Sequence, residues 1–254
     1  MVEPSNPFPI QAFSELATME SGHWWFRARN KLLLWILQDK INPQGDYLEV
    51  GCGTGYVLEA VSKRFPGLRL EATEFFDAGL GYARARTPAC QFREMDATRM
   101  NEVTRYNCIG CFDVLEHIAN DEIVIENLFR ALQPQGNLLI TVPQHQWLWS
   151  AADDFAHHVR RYSRQEIVSK LRRVGFRLIY SSSFVSLLLP LMAIQRLGSR
   201  PLSQQENYGV KDVIGVNPIV NRILYIVMRV EVWLLKLGFT FPAGGSLVLV
   251  AQKP

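Results

Sequence analysis

The chain has no run of about 20 apolar residues, the length a membrane-crossing helix needs. Its two apolar stretches are both interrupted. FVSLLLPLMAI, from Phe184, carries Pro190, and NPIVNRILYIVMRVEVWLLKLGF, from Asn217, carries Arg222, Arg229, Glu231 and Lys236. Charge of one sign is also lacking. A formal +3 over 254 residues argues against a dedicated nucleic-acid binder. Cysteine is scarce: Cys52, Cys90, Cys108 and Cys111 are the four. The opening MVEPSNPFPI has no basic-then-apolar leader, so the expectation is free thiols in a cytoplasmic protein. Cys108 and Cys111 form a CxxC, but inside the apolar, strand-like YNCIGCFDV. A redox pair normally opens a helix, so both read as core thiols. Internal repeats and low-complexity tracts are absent.

What is present is enough for a full core: 48% of residues are hydrophobic and 20% charged. Strand-like and helix-like segments alternate. Strands are expected at residues 47–50, 68–73, 90–93, 105–112, 137–142, 175–181 and 246–252. Helices are expected at 56–64, 78–85, 121–132 and 164–174. Such alternation implies a parallel sheet with helices on both faces. Leu132-Gln-Pro-Gln-Gly136 should end a helix, since proline cannot continue one. Ser163-Arg-Gln-Glu166 has the form of a capping box, and Gly175 sits where a C-terminal cap belongs. The segment from His157 to Arg177 is strongly basic. It reads as a solvated helix face, or as a surface for an acidic substrate or an anionic membrane.

The stretch YLEVGCGTGYVLEAV, from Tyr47, carries glycines at 51, 53 and 55 between a strand-like and a helix-like run. Glycines at such a turn let backbone N–H groups approach a ligand closely. The dinucleotide fingerprint G-x-G-x-x-G is not met, because Tyr56 stands where its last glycine would fall. No Gly-Lys-Ser/Thr follows, so a phosphate loop is excluded as well. Glu74 ends the second strand, 23 positions after Gly51. A carboxylate there can accept both ribose hydroxyls of an adenosine ligand. FREMDATRM then places Asp96-Ala97 after the third strand, suited to an adenine amino group.

EVGCGTG, the acid Glu74, MDAT, FDVLEHI and LQPQGNLLITVP occur in that order. Together they resemble the class I S-adenosylmethionine-dependent methyltransferases, of the broad group that includes ubiquinone-type O-methyltransferases. The resemblance covers roughly residues 47–181 and the final strand SLVLVAQK. It implies an α/β, Rossmann-like, seven-stranded and mostly parallel sheet with helices on both faces and an antiparallel last strand. An N-terminal helical cap (1–45) and a helical insertion before the last strand (184–243) would flank a core of 46–183 and 244–254 in one domain. By the same resemblance the cofactor is S-adenosyl-L-methionine, with S-adenosyl-L-homocysteine as product. Glu49, Gly51, Cys52 and Gly53 would line its methionine part. Glu74 would bind the ribose, with Phe75 beside the adenine and Asp96 and Ala97 at the adenine edge. Phe112 and Asp113 would close the pocket near the sulfonium. Glu49 departs from the commoner Asp, and TEFFDAG is bulkier after Glu74 than the usual turn.

Methyl transfer from a sulfonium needs an acceptor held in line and dry, and a base where the acceptor is protonated. Histidine is the natural base near neutral pH. In DVLEHI, a helical conformation would put Asp113, Glu116 and His117 on one face, for a divalent cation, for base or substrate contact, or simply to pin the loop. The main expectation is that no metal is bound. LWSAADDFAHHVRRYS, from Leu148, follows the fifth strand, where substrate loops lie in this fold. There His157 is expected as base ahead of His158, with Asp153, Arg161 and Tyr162 orienting the substrate. Trp25, Arg29, Leu32 and Ile36 share a helical face in GHWWFRARNKLLLWIL. Trp25 and Arg29 would cover the cofactor and neutralise its carboxylate, or only pack the core. The aromatic cap and apolar insertion favour a small hydrophobic or lipid-like acceptor. Residues 184–240 would form a lid, a peripheral contact with the inner face of a membrane, or a homodimer interface. A non-catalytic cofactor binder and an NAD(P)-dependent oxidoreductase are the rival readings.

Overall fold

A computed structural model describes residues 9–198 and 209–254. The expected cap and insertion also take in 1–8 and 199–208, which lie outside the described residues. Two helices open the described chain, α1 (Ala12–Met19) and α2 (Trp24–Ile36). The alternating core follows: β1 (Asp46–Val50), α3 (Tyr56–Arg64), β2 (Arg69–Glu74), α4 (Asp77–Arg86), β3 (Gln91–Glu94), β4 (Tyr106–Phe112), α5 (Asp121–Ala131), β5 (Leu132–Pro143), α6 (Ala151–Phe155), α7 (Arg164–Val174) and β6 (Arg177–Phe184). Three helices, α8 (Leu189–Gly198), α9 (Val210–Ile214) and α10 (Pro218–Lys236), precede β7 (Ser246–Gln252).

The seven strands lie in the order β3-β2-β1-β4-β5-β7-β6, with β7 antiparallel to both neighbours and the rest parallel. The order reverses between β1 and β4. In an open parallel sheet that reversal leaves a crevice beyond the strand C-termini, where ligands bind. Helices cover both faces, so the central strands are buried on both sides and read as unbroken apolar runs. Cys108 belongs to one core layer and Cys111 to the other, because strand side chains alternate. The two thiols therefore face opposite sides of the sheet, and all four cysteines are free and buried.

Several boundaries differ from expectation. β5 pairs with β4 already at Leu132, then shifts register around a left-handed Gln135 before resuming at Asn137. Proline and glycine there make an irregularity within the strand rather than a loop before it. β6 runs on to Phe184, so the insertion starts one residue later. Ser163 accepts from the Glu166 N–H at 3.1 Å, and Gly175 caps α7 at φ 113°. The insertion and cap clasp each other: Asn221 Oδ1 accepts from Trp24 N at 2.8 Å, and its Nδ2 donates to Gly22 O. No helix among the described residues is long and apolar enough to cross a membrane.

Candidate active site

The β1-to-α3 turn meets the crevice with all three glycines left-handed: Gly51 at φ 69°, Gly53 at 54° and Gly55 at 78°. A Cβ on Gly51 would come within 2.4 Å of Val114 Cγ2. A Cβ on Gly53 would meet nothing within 4 Å, yet Gly53 lines the cavity beside it. That open side is the approach a ligand needs. Glu74, ending β2, is tied to the same turn. Its Oε2 accepts from Gly53 N at 2.8 Å, and its Oε1 from Phe75 N at 2.9 Å. Burial pushes its carboxyl up, and these N–H groups act against the rise. Asp96 caps the next turn through Thr98 N at 2.8 Å. Phe75, Asp96 and Ala97 line the cavity as expected, together with Met95 and Thr98, which were not expected.

The neighbouring end of the crevice is charged. Glu49 is 2% exposed, and its Oε2 has no hydrogen-bond partner. Burial raises its carboxyl from 4.5 to about 8, with the Arg29 guanidinium opposing. Arg29, on α2, ion-pairs with Asp113 at the end of β4 and lies 4.6 Å over the Trp25 ring. Thr141 Oγ1 also donates to Asp113 at 3.1 Å. Trp25, Arg29, Cys52, Phe112 and Asp113 all line the cavity. A buried carboxylate with an idle oxygen next to a guanidinium suits a ligand end carrying both an ammonium and a carboxylate. With the open Gly53 and the Glu74 carboxylate beside them, these residues fit an amino acid joined to an adenosine.

The same cavity, about 870 Å³ in volume, has a second group of lining residues, Glu116, His117, His158 and side chains of α8 and α9, taken together as its second lobe. Here the expected helical face of Asp113, Glu116 and His117 does not form. Asp113 is left-handed at φ 56°, and only a single tight turn, Leu115–His117, follows. Asp113 is engaged by Arg29 instead. His158 takes its place: ligand atoms of Glu116, His117 and His158 lie within 4.8 Å of one another. Glu116 is fully buried, and neither carboxylate oxygen has a hydrogen-bond partner. Burial, and then the Asp113 charge, push its carboxyl well above the usual range. The His117 and His158 rings meet edge to face at 4.7 Å.

His158, not His157, faces this lobe. His157 is exposed at a left-handed position, φ 53°, and is not among the lining residues. His158 Nδ1 lies 2.8 Å from Asp153 Oδ1. Asp153 is fully buried and does not reach the cavity, which corrects its assignment to the substrate. Burial alone would raise its carboxyl. Hydrogen bonds from His158 and Arg161 outweigh that and bring it down to about 2. An ionised Asp153 can only accept, so Nδ1 carries a proton, and in the neutral ring Nε2 is then the nitrogen with the lone pair. Arg161 does line the cavity, but its Nε donates to Asp153 at 2.7 Å and its Nη1 to Gln144 O at 3.2 Å. Tyr162 is buried in the core. Its hydroxyl donates to Asp121 at 2.8 Å, so it supports the loop and touches no ligand. Sequence reasoning located the insertion but not its lining side chains: Leu188, Leu191, Met192, Val210 and Ile214 close the second lobe.

The chain matches the family described as "Methyltransferase domain" over residues 22–181, well over half its length. It is 31% identical over 118 residues to malonyl-[acyl-carrier protein] O-methyltransferase of Bacillus cereus, covering 45% of this chain and 44% of that protein. It is 29% identical over 147 residues to ubiquinone biosynthesis O-methyltransferase of Paracidovorax citrulli, covering 52% and 59%. The matched stretch thus spans about half the length of these relatives. Haemonchus contortus phosphoethanolamine N-methyltransferase 2, solved with S-adenosyl-L-methionine, superposes with a TM-score of 0.58 at 15% identity, covering 87% of this chain and 52% of that one. At that identity the likeness speaks for the fold. The family match, the strand order and the glycine-turn pocket agree: the chain belongs to the class I S-adenosylmethionine-dependent methyltransferases.

Proposed function

We propose that this protein moves a methyl group from S-adenosyl-L-methionine to an oxygen or nitrogen of a small hydrophobic or amphipathic molecule, with His158 as general base. The observation that carries this reading is one cavity lined by two unlike groups of residues, with His158 among them. One lobe has the glycine turn and the acids Glu49 and Glu74. The other is closed by aliphatic side chains of α8 and α9.

The bound cofactor supplies an activated methyl group on a sulfonium, so the chain's task is mainly to position and deprotonate. Leu188, Leu191 and Met192 exclude water from the acceptor lobe and favour an apolar body. His158 Nε2 takes the acceptor's proton, while Asp153 holds the ring and stabilises the imidazolium that forms. Arg161 shares the Asp153 carboxylate, so Asp153 stays ionised whether His158 is neutral or charged. Glu116, whose carboxyl burial pushes well above the usual range, can donate a hydrogen bond to the acceptor in its protonated form.

The test is His158→Ala. Loss of a general base lowers kcat by roughly 10²–10⁴-fold. S-adenosylhomocysteine affinity should stay within about twofold, since the contacts of His158 are with Asp153, Glu116 and His117 rather than the glycine turn, and Arg161 still compensates Asp153. Unchanged turnover would remove His158 from the mechanism. Activity lost to a chelator and restored by Mg²⁺ would make Glu116, His117 and His158 cation ligands instead. Binding of NADH in place of S-adenosylhomocysteine would overturn the whole reading.

A further inference from the structure

Helix α10 leaves one face uncovered. Met228, Val232 and Leu235 are buried on the side that packs against α2. On the other side, Ile219, Ile223, Ile226, Val230, Trp233 and Leu237 are all exposed, Ile219 by 71% and Trp233 by 57%. Their spacing of four and three residues in alternation makes a single stripe, about 27 Å long at the helical rise. An apolar stripe of this length marks a contact surface rather than scattered exposure.

The flank of the stripe decides what covers it. Arg222, Arg229 and Lys236 recur every seven residues, each just before a stripe residue, and all three are exposed. The helix's one acid, Glu231, is fully buried and accepts the Ser186 and Leu187 N–H groups at 2.8 Å. A second copy of α10 packed antiparallel on this stripe would set the two cationic rows against each other. Packed parallel, it would set them against Val220, Val227 and Leu234, with no carboxylate in reach. An anionic bilayer meets both requirements: acyl chains for the stripe, phosphates for the row, and an interfacial depth suited to Trp233.

We propose that α10 lies in the surface of an anionic phospholipid bilayer, with the Ile219–Leu237 stripe inward and Arg222, Arg229 and Lys236 on the headgroups. The helix borders the cavity from its packed side: Leu224, seven positions before the buried Glu231, lines it. Leu191 of α8 both lines the cavity and is exposed. The proposal stands on α10 alone and survives even if the assigned base is wrong.

The test is co-sedimentation of the full chain with vesicles of phosphatidylcholine alone or mixed with phosphatidylglycerol, at two salt concentrations. Binding is expected to the phosphatidylglycerol vesicles only, and to weaken with salt. The triple variant R222E/R229E/K236E should partition less by at least about 100-fold, the loss expected from removing three positive charges alone, and Ile226→Asp should also lose binding. Retained S-adenosylhomocysteine affinity in both variants would show that they fold. Three results would each overturn the proposal. One is no binding to either vesicle, and another is equal binding to both. The third is a dimer, seen by sedimentation velocity, that Ile226→Asp dissociates.

Discussion

Glu49 offers the sharpest physical handle on cofactor binding. In the ligand-free protein its carboxyl is buried, short of one hydrogen bond and raised to about 8. Going from the usual 4.5 to about 8, at 1.36 kcal/mol per pH unit, makes ionisation cost about 5 kcal/mol more than in water. A ligand ammonium at its idle oxygen would supply the missing partner and favour the charged form. Binding at pH 6.5, where an α-amino group is still charged, should then release close to one proton from Glu49. Calorimetry of S-adenosylhomocysteine in buffers of differing ionisation heat counts that proton. Affinity should rise up to tenfold per pH unit between 6 and 7 and flatten near 8. Glu49→Gln should bind more weakly by about 1.5–3 kcal/mol, the worth of a hydrogen bond to a charged group, and release no proton. The ligand-free protein carries the opposite sign. A carboxyl raised on folding contributes stability that is full below about 4.5 and is lost as pH rises through about 8, and Gln should abolish that slope. Proton release that persists in Glu49→Gln, or is absent from the wild type, would refute the argument.

Two further outcomes follow from the packing. Gly53→Arg combines a left-handed φ with a side chain aimed into ligand space, so S-adenosylhomocysteine binding should vanish in calorimetry while circular dichroism shows the fold retained. Tyr162→Phe removes a buried hydroxyl from Asp121 and Leu115 O, and should lower stability by about 1–3 kcal/mol in urea titration while leaving KM unchanged.

The sheet was legible because its central strands are buried on both faces and therefore read as short apolar runs between helices. The lining of the cavity near the glycine turn was legible for a local reason: Gly51, Gly53, Glu74 and Asp96 stand at fixed offsets from strand ends, and strand ends converge at the crevice. Met95 and Thr98 could have been found as neighbours of Asp96. The loop after β5 was located but its side chains were misassigned. His157 and His158 are adjacent and chemically alike, and only the left-handed turn at 157 decides which faces the cavity. Asp153 and Tyr162 looked like substrate ligands because they are polar and crowded. Their partners, His158 and Arg161 for one and Asp121 for the other, come from tertiary contacts that no spacing rule predicts. The same holds for Asp113, which α2 captures through Arg29.

Incubation of the protein with S-adenosylmethionine carrying a deuterated methyl group, in a small-molecule and lipid extract, tests the account most directly. Mass analysis should show one or more extract components gaining the labelled methyl as S-adenosylhomocysteine accumulates, and neither should occur with Gly53→Arg. S-adenosylmethionine that binds but is recovered intact with every extract fraction would contradict methyl transfer as the protein's activity.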